Sequence, residues 1–191
     1  MSGKGVKHVV NEAKHSFVGA IHGADESAVA VVDAVSDIMV HTLRGAHAVG
    51  GELITLGAAT VTGVVQGVAE VGAAAGDVAR SIMVGALRGT REVGTTSIET
   101  VSANAAAIVR ATDEVGGNVG NAAKGAVEGA IESARDLGMK TEDAASAAAS
   151  GALKAAGAIS LTATDQVRKA LVGTISGIRV VIKEPFRHDR A

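Results

Sequence analysis

The chain has 191 residues, a formal net charge of −2 and no cysteine, which excludes disulfides, thiolate metal sites, cysteine-bound iron–sulfur clusters and cysteine nucleophiles. It holds two phenylalanines, no tyrosine and no tryptophan, so the stacking aromatics and basic face that nucleic-acid binding uses are both missing. Glycine, at 25 residues, is about 13% of the chain against a usual ~7%, and any core must be built from Ala, Val, Leu and Ile.

The opening stretch MSGKGVKHVVNEAKH is too polar for the apolar segment of a secretory signal. His8, His15 and His22 recur every seven residues, beside Lys7 and Lys14. One helix cannot gather them on a metal, because they lie too far apart along it, and only oligomer symmetry could bring them together. Two other readings stay open for residues 1–37: a solvated surface, or a mildly basic, pH-sensitive amphipathic arm suited to anionic headgroups.

From Ser16 onward a phrase returns at 22-residue steps: SFVGAIHG, then IMVHTLRG from Ile38, TVTGVVQG from Thr60 and IMVGALRG from Ile82. It continues as NAAAIVRA from Asn104, AVEGAIES from Ala126, AASGALKA from Ala148 and ALVGTISG from Ala170. The sixth place is always aliphatic, and the eighth always small. A second phrase, Val-Gly or Leu-Gly, returns at the same step at Gly50, Gly72, Gly94, Gly116 and Gly138. Period 22 is two hendecads, about 3.67 residues per turn, which favours a straight or slightly right-handed helical assembly. A β-solenoid is the competing form for a glycine-rich repeat. Strand-like alternation is missing, however, and TEDAASAAASGALKAAGA is strongly helix-forming. The fold class is therefore all-α, with long helices in an oligomeric bundle or tube. With its one proline at Pro185, the chain could run as helix for up to ~280 Å, unless the glycine-rich junctions interrupt it.

Advancing about 98° per residue through Ile82–Ala103 places Ile82, Met83, Ala86, Leu87, Val93, Ile98 and Val101 in one sector. Arg88, Glu92 and Glu99 fall on a second side, and Gly85, Gly89, Thr96 and Thr100 on a third. Glycine inside a helix costs about 0.5–1 kcal/mol relative to alanine, so its recurrence points to close backbone contact. Gly45, Gly63, Gly67, Gly85 and Gly89 are the expected helix–helix contacts, between copies of the chain. Leu43, Val49, Val65, Val71, Leu87 and Val93 are then expected to line an apolar lumen.

Leu53–Ala69 is uncharged for about 17 residues, close to a membrane span. Thr55, Thr60, Thr62 and Gln66 argue instead for a very apolar helix outside the bilayer. Charge is sparse over 38–89, an apolar stalk region, and frequent over 90–184, a scaffold region that meets water or other subunits. Residues 185–191 form a basic tail. His41 and His47 read as interface histidines. GGNVG at Gly116–Gly120 follows no strand and lacks the Lys-Ser/Thr ending of a phosphate loop. No nucleophile–base constellation is visible, so neither catalytic nor metal-binding residues are assigned, and the chain reads as a non-enzyme.

Two resemblances follow from these phrases. The amphipathic 11/22-residue period is similar to that of apolipoproteins, perilipins and late-embryogenesis-abundant proteins, which implies a lipid-surface coat. Those proteins are richer in charge, and the apolipoproteins are punctuated by proline. In length, Ala/Gly/Val richness, lack of cysteine and aromatics, and phrases such as IMVGALRGTREVG, the whole chain more closely resembles the stalk subunit of actinobacterial high-affinity uptake [NiFe] hydrogenases. That resemblance implies a homotetrameric tube on the cytoplasmic side of the membrane, carrying menaquinone to the hydrogenase large and small subunits. The metal centres would belong to those partners.

Overall fold

Alanine-rich, proline-poor sequence makes helix, and the chain makes it in short lengths. The computed structural model describes residues 3–21, 28–46 and 51–180. Eight helices run through them: α1 (Gly3–Ile21), α2 (Ala28–Gly45), α3 (Gly51–Glu70), α4 (Ala75–Glu92), α5 (Ile98–Glu114), α6 (Val119–Ala134), α7 (Thr141–Ile159) and α8 (Leu161–Leu171). The protein is all-α, with a two-strand hairpin, β1 (Thr174–Ile175) and β2 (Ile178–Arg179), after the last helix. The continuous helix allowed by the sequence is interrupted at the glycine junctions.

The Val-Gly phrase is the interruption. Gly72, Gly94, Gly116 and Gly138 all have positive φ, between +66° and +88°. Each junction carries the same pair of bonds: Gly94 N–H donates to the Arg91 carbonyl at 3.0 Å, and Thr95 N–H to the Thr90 carbonyl at 2.9 Å. This Schellman geometry needs a left-handed residue after the helix, which glycine supplies without a Cβ clash. Restart signals follow. The Ser97 hydroxyl accepts from Thr100 N–H at 3.2 Å, Asn118 Oδ1 from Asn121 N–H at 2.9 Å, and Ser160 from Ala163 N–H at 3.0 Å.

Each helix packs most extensively on the helix two places away, and less on its immediate neighbours. Helices α1, α3, α5 and α7 therefore form one layer, with α2, α4, α6 and α8 in the other. Within a layer the axes are parallel: Gly63 and Gly67 of α3 meet α1 first near Val10 and then near Phe17, in ascending order. The core lies between the layers and is aliphatic, with Val35, Val65, Ile82, Leu87, Ile108 and Val127 fully buried. Of the sector drawn on Ile82–Ala103, Ile82, Met83, Ala86, Leu87 and Val101 are buried, whereas Ile98 is 39% exposed. Ile98 is the first residue of α5, and the turn at Gly94 breaks the helical phase within the sector, so one angular count cannot serve both helices.

The boundaries at 38 and 90 fall inside α2 and α4, and the layers continue through them. At the C-terminal end, β1 packs on α6 and β2 on α7, with Ile175 buried. Ser176 and Gly177, both at positive φ, make the two-residue turn that a tight hairpin requires.

Candidate functional site

The small-residue seam is occupied, and the neighbouring backbone belongs to the same chain. A Cβ on Gly85 would stand 2.6 Å from the Val32 carbonyl oxygen, and one on Gly89 2.8 Å from that of Ser36, both in α2. Gly129 of α6 meets the Arg80 carbonyl of α4 in the same way at 2.7 Å. Gly63 lies against Val10, Gly67 against Phe17 and Gly151 against Ser102. At Gly63, Gly85, Gly89, Gly129 and Gly151 any side chain would push two helices of a layer apart, whereas at Gly67 the neighbours would need to give by only a few tenths of an ångström. Gly45 differs: nothing within 4 Å would meet its Cβ, since α2 has no helix two places before it.

The expected lining residues divide. Leu43, Val65 and Leu87 are sealed in the chain's own core, at 4%, 0% and 0% exposure. Val71 and Val93 are half-buried at the ends of α3 and α4. Val49 lies outside the described residues, as do His22, His47 and the tail from 185. In this fold the three central residues face neighbouring helices of one chain.

The apolar stretch Leu53–Ala69 lies within α3. Glu52–Glu70 is long and apolar enough to cross a membrane, but 56% of it is buried within the fold. Its hydroxyls are satisfied along the helix, Thr60 Oγ1 donating to the Leu56 carbonyl at 2.9 Å and Thr62 Oγ1 to that of Ala58 at 3.0 Å.

Charges bridge helices of a layer along the outer surfaces. Arg88 reaches Asp33 at 2.7 Å, Arg80 reaches Glu132 at 2.8 Å and Lys14 reaches Glu70 at 2.9 Å. The Glu132 hydrogen bond and charge raise the Arg80 pKa above its ordinary value. Glu99 sits in the first turn of α5, where its own backbone N–H and the Ser97 hydroxyl lower its pKa. His8 lies 3.6 Å from Glu12 with both side chains largely exposed, and His15 and His41 are exposed. Among the described residues, no group of three or more His, Cys, Asp or Glu side chains is placed to hold a metal ion. GGNVG is the α5–α6 junction, with Gly116 at φ +74° and Asn118 as N-cap.

Outer grooves run along the helices of the described residues. One of about 480 Å³ runs between α1 and α2 over Leu56, with Glu12, Asp37 and His41 on its rim. A second, of about 510 Å³, follows α2, α4 and α6 past the Arg88–Asp33 and Arg80–Glu132 pairs. The third, about 700 Å³, lies between α5 and α7. Sequence reasoning did not single out the third groove, although its charges are visible at regular spacing. It also missed Asn104, which is fully buried with neither side-chain polar atom hydrogen-bonded.

Comparison with protein-family models and with curated proteins finds no match for this chain.

Proposed function

We propose that the chain is a non-catalytic structural subunit: a homo-oligomeric helical stalk that holds the large and small subunits of an uptake [NiFe] hydrogenase at the cytoplasmic face of the membrane. The observation that supports this reading best is the stacking itself. Helix meets helix through glycine and backbone at repeated places along both layers, a construction suited to a stiff spacer. Ion pairs along the outer surfaces reinforce that stacking. The partners and the location rest on the sequence resemblance.

Menaquinone does not fit the interior of the closed chain, because Leu43, Val65 and Leu87 are enclosed by their own neighbours. In the proposed assembly, quinone transfer belongs to surfaces between copies. A lipid-surface coat needs its apolar stripe free for the membrane, and here that stripe is packed between the layers.

Affinity purification of the full chain from its native cell, followed by native mass spectrometry, tests the reading. The expected result is a homo-oligomer, tetrameric by the resemblance, with hydrogenase subunits and menaquinone in the same preparation. A monomer recovered without those subunits overturns it. Circular dichroism in lipid-free buffer separates the coat alternative, which predicts low helicity until liposomes are added.

A further inference from the structure

The α5–α7 groove carries its charges in order along its length. Glu99 of α5 and Asp143 of α7 lie toward the N-termini of their helices, with Arg110 and Lys154 toward the C-termini. Eleven residues separate acid from base on each helix, about 16 Å of axis. Because the helices of a layer run parallel, both acids mark one end of the groove and both bases the other. The floor between is small, including Ser102, Ala106, Ala147 and Gly151, so another helix can approach closely.

All four charged side chains are exposed, and none has an ion-pair partner within 4 Å among the described residues. The groove along α2, α4 and α6 offers the contrast: its arginines are matched to acids of the same chain at 2.7 and 2.8 Å. Ile98, 39% exposed, adds an apolar contact at the acidic end.

A surface acidic at one end and basic at the other is complementary to itself when turned by a two-fold axis. We infer that the α5–α7 groove is a self-association site, in which a second copy of this chain lays its α5 antiparallel in the groove and receives the first copy's α5 in return. Arg110 and Lys154 of each copy then meet Glu99 and Asp143 of the other, and the small-residue floors come together at the axis. The contact is isologous, so it closes as a dimer and is available as one interface of a larger symmetric assembly. The inference rests on the homo-oligomeric reading above and names one of its interfaces.

Charge reversal in the full chain tests it. One variant carries Glu99→Lys with Asp143→Lys, and the other Arg110→Glu with Lys154→Glu. The side chains are exposed, and far-UV circular dichroism checks that each variant keeps its helicity. Sedimentation equilibrium at low salt should show each variant alone associating about 100-fold more weakly than the parent, given four reversed contacts. An equimolar mixture should recover association, with raised salt weakening both the mixture and the parent. If the parent self-associates and the variants do so equally, the groove assignment fails and the homo-oligomeric reading stands. If the variants lose association but the mixture does not regain it, the groove serves another contact and the two-fold pairing fails. A parent that stays monomeric at all concentrations overturns both.

Discussion

Substituting alanine at two glycines in the same place of the repeat should change stability in opposite directions. Gly19 of α1 and Gly85 of α4 both occupy the fourth place of the phrase. An added methyl at Gly19 meets nothing within 4 Å, so Gly19→Ala keeps only the helix-propensity gain, about 0.5–1 kcal/mol. At Gly85 the same methyl would stand 2.6 Å from the Val32 carbonyl oxygen and 2.7 Å from the Val35 Cβ. The first distance is about 0.8 Å short of the 3.4 Å where ordinary contact begins. Backbone and a β-branched side chain cannot rotate aside, so α4 must move away from α2. Overpacking of this kind costs about 1–3 kcal/mol net. At roughly 2–4 °C per kcal/mol for a chain of this size, Gly85→Ala should melt about 2–12 °C lower and Gly19→Ala about 1–4 °C higher. Thermal and urea unfolding followed by circular dichroism, at matched protein concentration, measures both. Equal stabilisation by the two substitutions would refute the backbone contact between α2 and α4, and with it the layered arrangement.

Three further outcomes are expected. Asn104→Leu, nearly isosteric, removes two buried groups without partners and should raise stability by about 1–3 kcal/mol, read from the urea midpoint. Gly116→Ala forces a Cβ into left-handed backbone at φ +74° and should cost about 1–2 kcal/mol in the same assay. For Glu99, an NMR titration should place the carboxyl below the ordinary carboxylate range, and Ser97→Ala should move it upward while weakening the α5 cap by about 0.5–2 kcal/mol. Since its folded pKa lies below the unfolded one, its contribution is present above the unfolded value and disappears as pH falls through the folded value.

The sequence exposed the helical class, the seam of small residues and the 22-residue step, because each leaves a periodic trace. It did not show which backbone fills the seam. Gly63 and Gly85 need a close neighbour whether it comes from a sibling chain or from the helix two places back. The number 22 is similarly double: two hendecads of unbroken helix, or one helix of about 18 residues and a turn. What separates these cases is local. Gly94 is followed by the cap residue Ser97, and Gly116 by Asn118, a stop and a start set side by side. Reading those pairs together divides the long helix and moves Leu43, Val65 and Leu87 from a shared lumen into a private core. Asn104 left no trace, because its neighbours come from other helices. The α5–α7 charges were legible as residues, but their common groove needed the parallel layer.

At the α1–α3, α2–α4, α4–α6 and α5–α7 steps the spacing is set by main chain meeting main chain at a glycine, so there it depends little on the bulk of the side chains elsewhere on those helices. The array therefore behaves as a graduated ruler whose unit is one helix pair, 44 residues of sequence. Evolution or a designer could lengthen or shorten it by whole units without retuning the pitch, provided each inserted pair keeps the glycines that set it.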